Sequence, residues 1–142
     1  MDVDKEQLAQ ALLTEPVLAR LATANPKTLQ PHVVPVWFLW DGSSVWISAF
    51  VSTRKVKDLL KNPRCAVLIE PVLLQGNPLQ AVLLEGTAEL IHEPASLVAE
   101  MSERIYAKYM GPEGVLAPEP QSWKQDPENR LVRLTPERRM VW

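Results

Sequence analysis

Apolar and polar positions along the chain change period several times, and each change marks an element. Residues 4–13 carry Leu8, Ala11 and Leu12 at helical spacing, with Asp2 or Asp4 able to cap the free amides. Thr14-Glu15-Pro16 ends that helix, because a residue before proline resists helical dihedrals. Residues 17–24 alternate, with Val17, Ala19, Leu21 and Thr23 on one face. After a turn at 25–28, residues 32–40 are almost entirely apolar and read as a strand covered on both faces. Pro35 lacks a ladder donor and asks for an edge or a bulge. Asp41-Gly42 is a turn pair, and residues 45–50 form the next strand of a meander.

Ser52 or Thr53 then caps a short helix over 53–61, with Val56, Leu59 and Leu60 as its buried stripe and Asp58 facing out. Asn62-Pro63 stops it, and residues 65–69 return to a strand. Residues 71–78 read as a loop, and 79–91 as a long strand that is bulged near Gly86. Pro94 suits the first turn of a helix over 94–110, with a stripe of Leu97, Val98, Met101, Ile105 and Tyr109. Residues 111–129, with a glycine pair and four prolines, read as a long loop. A last strand runs over 131–134 and continues at 138–142 beyond a kink at Pro136. Short strands at even spacing with turn signals predict an all-β barrel or sandwich with short helices, in one domain spanning residues 1–142.

Composition narrows the function classes. Hydrophobic residues make up 46% of the 142 positions and charged ones 23%, ordinary for a globular chain. A formal net charge of −2 gives no general attraction to nucleic acid or anionic membrane. No apolar run has membrane-spanning length, and the acidic Met1-Asp2-Val3-Asp4 start is no signal peptide, so a cytoplasmic location is expected. The lone Cys65 can form neither an internal disulfide nor a zinc cage, and its apolar run predicts a buried core residue. His32 and His92 stand on separate segments, so no metal site is expected.

The sharpest local feature is Ser48-Ala49-Phe50-Val51-Ser52-Thr53-Arg54-Lys55. A strand ends, hydroxyl residues follow, and an Arg-Lys pair opens a helix whose free amides suit a phosphate. Arg54 offers a bidentate fork and Lys55 a point charge; a capped surface helix with solvated basic residues would look the same. Trp37, Trp40 and Trp46 crowd one hairpin, as core bulk or as walls for a planar ligand. Trp123, inside the proline-rich segment, is expected to pack on the barrel or on a partner subunit.

Taken in order, Gln30-Pro31-His32-Val33-Val34-Pro35-Val36-Trp37-Phe38, Val45-Trp46-Ile47-Ser48, Ser52-Thr53-Arg54-Lys55, Leu59-Leu60-Lys61-Asn62-Pro63-Arg64 and Leu79-Gln80-Ala81-Val82-Leu83-Leu84-Glu85-Gly86 resemble the pyridoxamine 5'-phosphate oxidase-like superfamily. The resemblance implies a six-stranded antiparallel split barrel, a homodimer, and FMN, or alternatively the deazaflavin F420, held between subunits. It implies that His32, Val33, Val34, Pro35, Val36 and Trp37 line the ring side of the cofactor through their backbone. It implies that Ser48 and Ala49 touch the ribityl-phosphate part, that Thr53, Arg54 and Lys55 hold the phosphate, and that Gln80 reaches the flavin. The oxidase itself has arginine and lysine where this chain has His32 and Trp37, and a C-terminal arginine–histidine pair that is absent here. Pyridoxamine phosphate is therefore not the expected substrate.

Three functions follow from the resemblance. One is an oxidoreductase that passes hydride or electrons from the flavin to a small molecule, with NAD(P)H as a candidate reductant; no general acid or base stands out for it. The second is a flavin- or haem-binding module without turnover. The third is an empty barrel serving as a structural dimer.

Overall fold

The computed structural model describes residues 2–72 and 80–142, and the side chains from residue 4 onward. The chain runs α1 (Asp2–Thr14), β1 (Ala19–Ala24), β2 (Pro31–Val36), β3 (Leu39–Trp40), β4 (Val45–Phe50), α2 (Arg54–Lys61), β5 (Arg64–Ile69), β6 (Val82–Ile91), α3 (Ala95–Gly114), α4 (Pro118–Gln125), β7 (Asn129–Leu134) and β8 (Arg138–Val141). This is a mixed α/β split barrel rather than the expected all-β barrel of six strands: among the described residues helices take 36%, and eight strands form two sheets that share β6. Two of the expected strands each divide. The segment over 32–40 breaks at Trp37-Phe38, and the last strand breaks at Thr135-Pro136-Glu137.

Both breaks have the same physical reason: each strand changes the sheet it belongs to. The pairing order is β2-β1-β5-β6-β7-β4-β3, all antiparallel, so β2 and β3 stand at opposite ends although Trp37 and Phe38 alone separate them. That covalent link draws the sheet round into a barrel. Its buried centre holds Phe38, Leu21, Ile47, Ile69, Leu84 and Leu134. At the second break, β6 keeps β5 on one side over Val82–Thr87 while its other side meets first β8, over Val82–Glu85, and then β7, over Ala88–Ile91. Gly86 lies at the changeover. A Cβ there would sit 3.1 Å from Leu134 Cδ1 and 3.2 Å from both the Glu137 nitrogen and the Thr135 oxygen. The bulge expected in this strand near Gly86 is not found in β6, whose register with β5 runs unbroken from Val82 to Thr87; Gly86 instead marks this close crossing.

Other expectations changed in detail. Residues 32–40 do not form a strand covered on both faces. β2 is an end strand whose Pro31, Val33 and Pro35 are exposed, which accommodates Pro35 on a strand with one edge unpaired among the described residues. In α2, Leu60 is exposed and Asp58 is buried, the reverse of the stripe read from hydrophobicity. Asp58 is held inside because the Thr23 hydroxyl donates to its Oδ2 at 3.0 Å and Arg54 Nε stands 3.8 Å from the same oxygen. The proline-rich stretch 111–129 is not a loop: it completes α3 after a break at Gly111 (φ +83°) and then forms α4. Pro118 opens α4, where a missing amide leaves no hydrogen bond unmade. Cys65 is buried as expected, and burial pushes its thiol up to about 11. The expected loop over 71–78 falls mostly on residues outside the described ones. Among the described residues no helix is long and apolar enough to cross a membrane.

Candidate functional site

α3 and α4 pack on the outer face of β4 and β7, and a cleft of about 250 Å³ opens where they meet the end of β4. Its walls are Trp37, Ser48, Ala49, Phe50, Thr53, Lys55, Tyr106 and Trp123. The strand-to-helix signature supplies one half of this lining. β4 ends at Phe50, the chain turns, and α2 starts with its positive end towards the cleft. Thr53 occupies the N-cap position but its side chain does not cap the helix; its hydroxyl donates to the Phe50 carbonyl at 2.7 Å. The first turn of α2 contains no acidic residue that would neutralise its amides. Lys55 is half-buried at this end, and the loss of solvent lowers its pKa. A half-desolvated ammonium beside an uncapped helix start favours an anionic group.

The other half is aromatic. The Tyr106 ring meets Trp37 at 6.2 Å and 66°, and Trp123 at 5.8 Å and 87°. Trp37 stacks on Tyr109 at 4.9 Å and 5°, which covers one of its faces. Tyr109 is anchored in turn: its hydroxyl donates to the Val17 carbonyl at 2.8 Å and accepts the Phe38 amide at 3.1 Å. Burial pushes its phenol up to about 12. Lys108 closes the back of this cluster, donating to the Phe38 carbonyl at 3.0 Å with Nζ 3.5 Å from the Phe38 ring centroid. Burial brings Lys108 down to about 8.

A polar network joins the two halves beneath the cleft. Ser48 Oγ lies 2.7 Å from Tyr106 Oη and donates to Asn129 Oδ1 at 2.7 Å. Asn129 Nδ2 donates to Ser102 Oγ at 2.9 Å, and Ser102 Oγ donates to Ser48 at 3.3 Å. Ser102 and Asn129 are buried and satisfied within the network, whereas Ser48 and Tyr106 also line the cleft.

Of the residues expected from sequence, Trp37, Ser48, Ala49, Thr53 and Lys55 come together in this cleft. His32, Val33, Val34, Pro35 and Val36 lie along β2 outside its lining, and the half-buried Gln80 precedes β6 outside it as well. Arg54 is half-exposed, turned back toward Asp58 and away from the lining. Phe50, Tyr106 and Trp123 complete the walls; of these only Trp123 drew attention in the sequence, for its place among prolines. Tyr106 follows Ser102 by one helical turn on the buried side of α3, one position off the apolar stripe. A hydroxyl pair at that spacing was the available signal.

A family model described as pyridoxamine 5'-phosphate oxidase matches residues 6–142. Among solved structures, a conserved hypothetical protein from Mycobacterium tuberculosis is 24% identical over 96% of this chain and 82% of its own, with a TM-score of 0.78. A structure described as an F420 reductase is 22% identical over 93% of this chain and 95% of its own, at 0.74. The heme storage protein HutZ from Vibrio cholerae is 15% identical over 99% and 93%, at 0.73. No curated protein matches the chain significantly. The strand order, the sheet-switching segments and the match over nearly the whole length agree: the chain belongs to the pyridoxamine 5'-phosphate oxidase-like split-barrel family.

Proposed function

We propose that this chain binds a phosphorylated flavin-type cofactor, FMN or alternatively F420, in the cleft between β4 and α3, and uses it as an oxidoreductase on a small molecule. The observation that carries this reading is one cleft in which an uncapped helix start and a half-desolvated lysine adjoin four aromatic rings. The donor set fits such a cofactor: Lys55, Thr53 and the first amides of α2 for the phosphate, Ser48 and Ala49 for the chain, Trp37, Tyr106 and Trp123 for the ring. The bound cofactor would supply hydride or electron transfer, and the protein position, exclusion of water and field. NAD(P)H is the candidate reductant. The likeness to a structure described as an F420 reductase keeps F420 as the alternative. The likeness to a heme storage protein keeps a binding module without turnover as the second reading.

In the same reading the protein is a homodimer, supported by the outer edge of β2, which pairs with no strand among the described residues, and by the exposed Val33 and Leu18 beside it. An open apolar strand edge in an isolated chain invites a second copy. His32, Val33, Val34, Pro35 and Val36, with Gln80, would then approach the cofactor from across that interface. Titration of the cofactor-free protein with FMN and with F420 tests the proposal. Lys55→Ala should weaken binding by about tenfold or more, because a partly desolvated charge is lost opposite a phosphate. Arg54→Ala should weaken it less, since Arg54 is engaged with Asp58 and half-exposed. Binding of neither cofactor, or equal binding by Lys55→Ala and the unmodified protein, would refute it.

A further inference from the structure

The hydrogens of the polar network beneath the cleft can be assigned, and the assignment says what kind of ligand atom the cleft selects. Asn129 Nδ2 lies 2.9 Å from Ser102 Oγ and 3.4 Å from the Lys124 carbonyl oxygen. A carbonyl only accepts, so this side of the Asn129 amide is the NH2 group and the opposite side is the oxygen. That oxygen sits 2.7 Å from Ser48 Oγ and cannot donate either, so the single hydroxyl hydrogen of Ser48 points to Asn129. Tyr106 Oη stands 2.7 Å from the same Ser48 oxygen. With the Ser48 hydrogen engaged elsewhere, the contact is a hydrogen bond only if Tyr106 donates it. Ser102 adds its own hydrogen to Ser48 at 3.3 Å. Every proton in the network is thus directed inward. The Tyr106 oxygen is left with no hydrogen to offer and can only accept. Burial raises its pKa above the usual phenol value, so the phenol stays neutral across the physiological range.

We infer that the cleft is a recognition site for a planar ligand group bearing an N–H or O–H donor, which Tyr106 Oη accepts, and that it discriminates against an acceptor at the same place. Planarity follows from the walls. Trp37 and Trp123 both stand steeply to Tyr106, so neither ring stacks on it, and all three rings line the cleft. Discrimination follows from direction: a ligand acceptor set against Tyr106 would meet lone pair with lone pair, and turning the Tyr106 hydrogen outward would cost Ser48 Oγ its short 2.7 Å bond and leave it only the longer one from Ser102 at 3.3 Å. Asn129, Ser102 and the Lys124 carbonyl act as positioning groups: they touch no ligand but set the direction of the Tyr106 hydrogen. The inference rests on the reading of this cleft as the ligand site, but not on which cofactor occupies it.

Two probes of the same shape test it, indole with an N–H and benzofuran with an oxygen in its place, bound to the full-length protein and followed by ligand-observed NMR. The unmodified protein should bind indole about tenfold more tightly, the worth of one hydrogen bond gained against one repulsion. Tyr106→Phe should remove the preference. Ser48→Ala should narrow it, because the freed tyrosine hydrogen can then serve an acceptor. Equal binding of the two probes, a preference that survives Tyr106→Phe, or no binding of either probe at millimolar concentration would overturn the inference. A measurement without any variant stands beside these: the Tyr106 hydroxyl proton, located by neutron diffraction, should point at Ser48, and a proton aimed into the cleft would overturn the inference equally. FMN titration on the same samples keeps the two ideas apart. An indole preference without FMN binding sinks the flavin reading alone, and FMN binding without the preference sinks this inference alone.

Discussion

Gly86 offers the most direct test of how the barrel is closed. A methyl group placed on it meets Leu134 Cδ1 at 3.1 Å, the Glu137 nitrogen at 3.2 Å and the Thr135 oxygen at 3.2 Å. The leucine can turn aside, but the other two atoms are backbone and are themselves tied, since the Glu137 amide donates to the Glu85 carbonyl at 2.9 Å. Gly86→Ala therefore pushes β6 away from the kink where the last strand passes from β7 to β8. Overpacking of this kind costs about 1–3 kcal/mol. The smaller unfolded-state entropy of alanine returns about 0.4–1 kcal/mol, leaving a net loss of roughly 1–2 kcal/mol. For a chain of this length the unfolding entropy is about 0.3 kcal/mol/K, so the melting temperature should fall by roughly 3–7 °C. Thermal unfolding followed by circular dichroism reads the change. Trimming the flexible neighbour in a Gly86→Ala/Leu134→Val double variant should restore little of the loss, because the backbone contacts remain. An unchanged or higher melting temperature in Gly86→Ala would show that β6 and the kink do not approach this closely, and the account of closure would fail with it.

Two pH-dependent predictions follow from burial and hydrogen bonding. Lys108 falls on folding from 10.5 to about 8, so its charged form is disfavoured in the fold. The penalty is full below pH 8, shrinks as pH rises from 8 to 10.5, and is gone above that window. Urea unfolding across that window should show the unmodified protein gaining stability relative to Lys108→Gln as pH rises; parallel curves would count against the burial of the amine. Cys65 and Tyr109 titrate in the opposite sense in both proteins and cancel in the difference. Asp41 behaves the other way. Burial works against its ionisation but is outweighed by donation from the Trp46 indole and the Ser43 and Ser44 amides, which together hold it at about 2 rather than 3.8. Asp41→Asn should cost about 1 kcal/mol at neutral pH, an allowance already reduced for its exposure. That deficit should vanish as pH falls through 3.8 towards 2, and a constant deficit down to pH 2 would contradict the assignment.

What could be read in advance divides by how far apart the determinants lie along the chain. β4 was legible to the residue, as was the strand-to-helix junction that delivers Ser48, Ala49, Thr53 and Lys55 to the cleft, because the turn residues and the charge fall within eight positions, although Thr53 does not cap α2 through its side chain as expected. The apolar run 32–40 was not, since hydrophobicity reports that side chains leave water but not which sheet receives them. There, one strand serves two sheets, and an edge face exposed in the single chain has the same composition as a core face. Asp58 fails from the other side: a carboxylate reads as solvent-facing until Thr23, thirty-five residues earlier, is brought beside it. The proline-rich stretch misled for a local reason, because prolines at helix starts carry the same composition as a loop. The aromatic half of the cleft was hidden for a longer-range one. Tyr106 lies beside the apolar stripe of α3 rather than on it, and acquires its role only when Ser48 and Asn129 arrive from β4 and β7. The charged half of the cleft is thus encoded in one continuous segment, whereas the half proposed to select the ligand exists only through the pairing of β4 with β7 under α3. Substitutions that loosen that pairing should therefore alter ligand preference before they abolish binding at Lys55.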